Sequence, residues 1–217
     1  MKLALIGATG NVGQTILNEA LLRGYEVTAI ARDPKKLDIT NDKLTLKAVD
    51  VFNIDGLADV LKGHDAVVSA YNSGWANPNI YDDFIAGSKA IQQAVKQAGV
   101  KRLLVIGGAG SLEITPGVQL VDSPNFPAAY KPGASAARDY LNILRKEEDL
   151  DWTFLSPAIN MHPDAHGEPL RKFRLGTDQP VFNEKGENNI LIEDLAVAVI
   201  DELENNQFIK RRFTLGY

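Results

Sequence analysis

The sequence contains no cysteine among its 217 residues. Disulfides, thiolate nucleophiles, iron–sulfur clusters and Cys-ligated zinc are therefore excluded, and three histidines are the only remaining soft metal ligands. Positive charge is also scarce: 23 Lys and Arg stand against 28 Asp and Glu, a formal charge of −5. That balance lacks the positive field needed to hold a phosphate backbone, so nucleic acid is not an expected partner. No apolar run reaches the ~18 residues of a membrane span, which argues against a membrane partner. The first apolar run, residues 3–6, lacks the basic flank, longer apolar stretch and cleavage site of a secretory signal, so a cytoplasmic location is expected. What is present is an ordinary globular composition, 45% hydrophobic and 24% charged. Any redox chemistry must come from an organic cofactor.

Short β-rich segments alternate with helical spacing. Residues 2–6, 27–31, 44–49, 66–70, 102–106 and 152–155 read as strands, and 212–215 as a short final one. Val12, Ile16, Ala20 and Leu21 recur at helical spacing up to Gly24. A second helix is capped near Asn53 or Asp55 and closed by Gly63; others span 80–97, 135–147 and 192–203. Parallel strands need crossovers, so this alternation predicts an α/β fold, a doubly wound parallel sheet in one domain over residues 1–217. Two stretches dense in Pro, Gly, Asp and Asn, 107–134 and 159–189, interrupt it. Both follow strand ends where ligands bind in such sheets, so they are expected to wall a substrate pocket, 159–189 forming a small substrate-side region.

Gly7-Ala8-Thr9-Gly10-Asn11-Val12-Gly13 joins the first strand to the first helix. Glycines there admit positive φ and let the backbone approach a diphosphate, and the helix end supplies oriented N–H groups and a positive dipole end. Gly7, Thr9, Gly10, Asn11, Val12 and Gly13 are thus expected to hold the diphosphate of a dinucleotide in a Rossmann fold. At the end of the second strand, an acidic residue would bond the ribose of NAD, whereas an Arg can fork onto the 2′-phosphate of NADP. Here Arg32 precedes Asp33-Pro34, and Asp33 reads as a helix cap with Pro34 at the first helical position. Arg32 therefore favours NADP, with NAD as the other option. Asp50 and Val51 are placed to flank adenine, unless Asp50 merely caps the next turn. Ala70 and Tyr71 leave the fourth strand where the cofactor would approach, and Tyr71 or Trp75 could stack on a planar ring.

The glycine motif with Arg32-Asp33 resembles the atypical short-chain dehydrogenase/reductase superfamily. More narrowly, Asp151-Trp152-Thr153 running into Leu155-Ser156-Pro157-Ala158, then Arg174-Leu175-Gly176, Glu193-Asp194-Leu195-Ala196-Val197-Ala198 and the final Arg212-Phe213-Thr214-Leu215-Gly216-Tyr217, resemble the bacterial proteins named NADH-flavin reductases. These are related to the NmrA-like proteins and to biliverdin-IXβ/flavin reductase. The resemblance implies an NAD(P)-binding reductase. It also places Gly107, at the fifth strand's end, against the cofactor, Ser156, Pro157 and Ala158 beside the nicotinamide, and Ser111 where it could orient an acceptor carbonyl. A loop serine bonding its own backbone is the plain alternative for Ser111. Relatives that oxidise alcohols use a Tyr with a Lys four residues on. Tyr25, Tyr71, Tyr81, Tyr130 and Tyr140 are followed at that spacing by Ala29, Trp75, Ile85, Ala134 and Leu144, so the pair is missing. A flavin or quinone-like acceptor, which delocalises the incoming charge, suits that absence. A regulator that senses the NADP redox state suits it too. His162 and His166 with Asp164 and Glu168 nearby lack a convincing third ligand, and no metal is expected.

Overall fold

The computed structural model describes residues 1–161 and 165–217. In chain order its main elements are β1 (Lys2–Ile6), α1 (Asn11–Leu22), β2 (Glu26–Ala31), β3 (Leu44–Ala48), α2 (Ile54–Leu61), β4 (Ala66–Ser69), α3 (Ile80–Ala98), β5 (Arg102–Ile106), β6 (Glu113–Thr115), β7 (Val118–Gln119), α4 (Lys131–Leu144), β8 (Asp151–Ser156), β9 (Arg174–Gly176), α5 (Ile192–Asn205) and β10 (Arg211–Gly216). β4 and β5 are buried throughout and β1 at its last four residues, as expected of parallel strands covered on both faces. They lie centrally in an eight-stranded sheet of order β3-β2-β1-β4-β5-β8-β10-β9. All neighbours are parallel except β9, which runs antiparallel to β10.

Alternate residues of the strands feed two cores. Leu3, Leu5, Leu155 and Phe213 pack with Ile16 and Leu17 of α1 and Leu195 and Val199 of α5. Ala4, Ile6, Trp152 and Phe154 pack with α2, α3 and α4 through Leu57, Ile91 and Tyr140. The chain order reverses between β1 and β4, so the carboxyl ends of these two strands open a crevice. This is a Rossmann-like α/β fold.

Four local features depart from the sequence expectations. Asp33 and Pro34 open only a three-residue 3₁₀ turn, Pro34–Lys36, and the Asp33 side chain makes no cap hydrogen bond. The 107–134 stretch contains the antiparallel pair β6 and β7, with Gly117 at φ 79° in the turn. α4 starts at Lys131 rather than 135 because Pro132 falls in its first turn, where a missing N–H costs nothing. Within 159–189, Arg174–Gly176 forms β9 on the edge of β10.

Behind the first turns of α1, Glu19 gathers two arginines. Arg171 reaches it with Nη1 at 3.0 Å and Nη2 at 2.9 Å, and Arg23 with Nε at 2.8 Å. Arg23 continues to Asp201 at 2.7 Å and Glu204 at 2.9 Å on α5. Burial raises the Glu19 pKa, but the hydrogen bonds and charges of Arg171 and Arg23 outweigh it and hold the carboxyl below the ordinary glutamate range. The segment around Arg171 is fixed from its other side by Asp194, which accepts from the amides of Leu170 at 3.0 Å and Arg171 at 2.7 Å.

Candidate functional site

The turn after β1 is shaped by two glycines that no other residue could replace without displacement. Gly7 sits at φ 78°, and a Cβ there would lie 2.5 Å from the Ala70 carbonyl oxygen. A Cβ on Gly13 would lie 2.1 Å from the Gly7 carbonyl oxygen, so α1 starts hard against the turn. The turn is closed by Gly7 N donating to Ile30 O at 3.0 Å and Gly10 N to Gly7 O at 3.1 Å. The helical hydrogen bonds then begin with Gln14 N to Gly10 O at 2.8 Å, which leaves the Val12 and Gly13 amides ahead of them at the helix end. No acidic residue occupies the first turn of α1, so its positive dipole end is not offset locally by its own side chains.

The crevice beside this turn encloses a cavity of about 340 Å³. Gly7, Thr9, Gly10, Arg32, Asp50, Val51, Ala70 and Tyr71 all line it, so residues distant in sequence converge on one cleft. Asn11, Val12 and Gly13 belong to the same turn and helix start but do not line the cavity itself. Arg32 is exposed and has no hydrogen-bond or ion-pair partner among the described residues. Asp50 accepts from the Phe52 amide at 3.0 Å, which is the turn-capping role. Tyr71 packs on Phe84 with ring centroids 6.0 Å apart, and its hydroxyl donates to the Asp83 carbonyl at 3.0 Å. Burial, then the charges of Asp83 and Asp50, push its phenol up to about 12 despite nearby Arg32, so it stays protonated and is a poor proton donor.

Other expected residues lie elsewhere. Ser111 is 1% exposed, and its carbonyl and hydroxyl oxygens accept from Arg212 Nη1 at 2.8 and 3.1 Å; Arg212 also pairs with Asp178. It does not line the cavity. Ser156, Pro157 and Ala158 are buried at the end of β8, and among the described residues the Ser156 hydroxyl has no partner. Gly107 leaves room for the Phe154 ring, which a Cβ would meet at 1.9 Å. Trp75, 59% exposed, packs edge-on against Tyr130 at 5.5 Å, outside the cavity lining. His162 and Asp164 lie outside the described residues, and among those described no three His, Asp or Glu side chains converge as a metal site.

Several lining residues were not singled out from the sequence. Phe52 adds an exposed ring beside Asp50 and Val51. Asn77 donates to Asp83 Oδ2 at 2.8 Å, and both line the cleft. The adjacent Asp50-Val51 was the available signal for Phe52. Asn77 and Asp83 belong to the loop and first turn leading into α3, where a polar residue carries no distinctive spacing.

A turn with no room for a Cβ at Gly7 or Gly13, the helix end it leads into and an arginine with no partner among the described residues across the cleft fit a dinucleotide. The sequence profile of the NAD(P)H-binding family matches residues 7–206. The chain belongs to that NAD(P)H-binding family. YwnB of Bacillus subtilis, an uncharacterised protein, is 37% identical over 217 residues, covering 99% of this chain and 98% of its own length. Among solved structures, a candidate epimerase from Bacteroides thetaiotaomicron aligns with a TM-score of 0.91 and 46% identity, over 100% of this chain and 96% of that one. A candidate NADH-flavin reductase from Streptococcus pneumoniae aligns with a TM-score of 0.84 and 39% identity, over 100% and 99%. As in other NAD(P)H-binding proteins of this fold class, the cofactor is a nicotinamide dinucleotide and the fold is of the oxidoreductase type.

Proposed function

We propose that the protein is an NADPH-dependent reductase whose acceptor is a flavin or a related conjugated ring such as a quinone. The observation that carries this reading is the state of Tyr71. It is the tyrosine lining the cleft, it has no lysine four residues on, and its hydroxyl is committed to a backbone carbonyl. A ketone or sugar substrate would need such a group to protonate an alkoxide. A flavin takes hydride at a ring nitrogen, spreads the charge over the ring system and accepts its proton from water. The likeness to the pneumococcal protein supports the same acceptor class.

In this reading Gly7, Thr9, Gly10, Asn11, Val12 and Gly13 hold the diphosphate, Arg32 meets the 2′-phosphate, and the backbone at 156–158 lies beside the nicotinamide. When bound, the cofactor supplies the hydride. The protein's contribution is to hold it and to keep the acceptor ring parallel to it. Purified protein mixed with NADPH and FMN, FAD or a soluble quinone should consume NADPH, followed by loss of nicotinamide absorbance. Turnover with none of them defeats the reductase reading. The same missing Tyr and Lys pair favours one other reading, an NADP-sensing regulator. Binding without turnover, and with different affinities for the oxidised and reduced forms, would select it.

A further inference from the structure

Two exposed aromatic rings stand at right angles beside the cleft. The centroids of Trp75 and Tyr130 are 5.5 Å apart with an interplanar angle of 89°, and the residues are 59% and 54% exposed. Burial therefore does not hold Trp75 in place. Its loop does: Ser73 Oγ donates to Ile80 O at 3.1 Å, Gly74 N to Asn72 Oδ1 at 2.7 Å and Asn77 N to Gly74 O at 3.0 Å. α4 also makes room for the ring, since a Cβ on Gly133 would lie 2.8 Å from Trp75 Cζ3 and 2.9 Å from Ile80 Cδ1. Gly133 has no positive φ, so the backbone does not call for glycine there, and glycine inside a helix is costly relative to alanine. What it provides is space for Trp75 and Ile80.

The pair sits on the side of the cleft where the reacting half of a dinucleotide would run. Ser73 and Asn77, on either side of Trp75 in its loop, both line the cavity. Tyr130 immediately precedes α4, whose Ala134 and Ala137 pack on the backbone just past β5. Cβ atoms on Gly110 and Gly108 would lie 2.9 and 3.5 Å from those alanine Cβ atoms. Gly107 N donates in turn to Leu155 O at 2.8 Å, which joins the exit of β5 to the end of β8. The sheet order is β2-β1-β4-β5-β8 through this region. A dinucleotide with its 2′-phosphate at Arg32, after β2, and its diphosphate at the turn after β1 carries its nicotinamide toward the exits of β4, β5 and β8. Trp75 follows β4, and Tyr130 lies in the connection from β5 to α4.

Two rings at right angles make a corner. A planar conjugated guest lying flat on one ring meets the other along its edge, so it gains a stacked and an edge-to-face contact together. A saturated guest has no face to offer. We propose that Trp75 and Tyr130 form the acceptor-binding corner, which holds the conjugated ring of a flavin or quinone against the nicotinamide side of the cleft. This rests on the reductase reading above and adds to it the residues that recognise the acceptor.

The test uses the full chain saturated with NADP⁺ and titrated into FMN, with flavin emission followed because stacking on an aromatic ring quenches it. Steady-state NADPH oxidation with FMN and with menadione, a small quinone, runs beside it. The unaltered protein should quench FMN emission saturably. Trp75→Ala and Tyr130→Ala should each weaken FMN binding about tenfold and raise KM for both acceptors to match, with KM for NADPH within about twofold. Trp75→Phe keeps a ring and should stay within about threefold of the unaltered protein. Unfolding midpoints identify any variant that fails to fold. Unchanged acceptor affinity in Trp75→Ala, in a protein that does reduce FMN or menadione, overturns the corner and leaves the reductase reading standing. So does an equal loss for NADPH and acceptor, or a sedimentation shift from dimer to monomer with acceptor affinity intact, which would assign the pair to a second copy of the chain. No quenching and no NADPH oxidation by the unaltered protein with either acceptor overturns the reductase reading, and this proposal with it.

Discussion

Arg102 and Glu202 form a buried ion pair between the first residue of β5 and the last turns of α5, Nη2 to Oε1 at 2.7 Å, with side chains 10% and 3% exposed. The glutamate does more than neutralise the arginine, because its oxygens also accept from the amides of Gln207 at 3.0 Å and Phe208 at 3.1 Å. Burial lowers the Arg102 pKa, and Glu202 opposes that shift. Removing the carboxylate strands both a buried cation and two amides. Glu202→Ala should lower unfolding free energy by about 3–5 kcal/mol in urea denaturation. Glu202→Gln keeps one acceptor oxygen and should cost less. Equal losses for the two variants would show that the single oxygen kept by Gln contributes nothing.

Arg32 tests cofactor choice. Arg32→Ala should weaken NADPH by about 1.5–3 kcal/mol and leave NADH nearly unchanged, because only the former carries the 2′-phosphate. Titration of both nucleotides into both proteins reads the difference. Equal losses would mean that Arg32 packs on adenine instead.

Tyr71 tests the acceptor chemistry. A general acid contributes ~10²–10⁴-fold to rate, so Tyr71→Phe should change kcat by well under tenfold if water supplies the proton. A fall of a hundredfold or more in steady-state flavin reduction would place Tyr71 in the proton path.

Glu19 gives a pH dependence with a definite sign. Its folded-state carboxyl is held below the ordinary value of 4.5 by Arg171 and Arg23, against burial. The stabilisation from this shift is therefore present above the unfolded value and is lost as pH falls through the lower folded value. Thermal unfolding followed below pH 5 should show the unaltered protein losing stability more steeply than Glu19→Gln. Parallel curves would indicate that the two arginines are satisfied by solvent.

The central strands and the glycine turn were legible because their signals are local and physical: apolar runs bounded by turns, and glycines where a Cβ would strike a carbonyl. Arg32, Asp50, Val51, Ala70 and Tyr71 were found at strand ends, and the strand order brings those ends to one crevice. β9 was not legible, because Arg174–Gly176 is three residues long without alternating burial and owes its strand conformation to pairing with β10. Ser111 illustrates the opposite case. A serine after a central strand is common to a ligand contact and to a structural one, and only the distant Arg212 reveals the packing role seen here. The contact between His166 and Asn11 spans 155 positions, beyond the reach of any local pattern.

Glu19, Arg23 and Arg171 tie the rear of α1 to α5 and to the segment around Arg171. If the turn seats the diphosphate as proposed, this bracing leaves less of the polypeptide to be ordered on binding and so lowers the entropic cost.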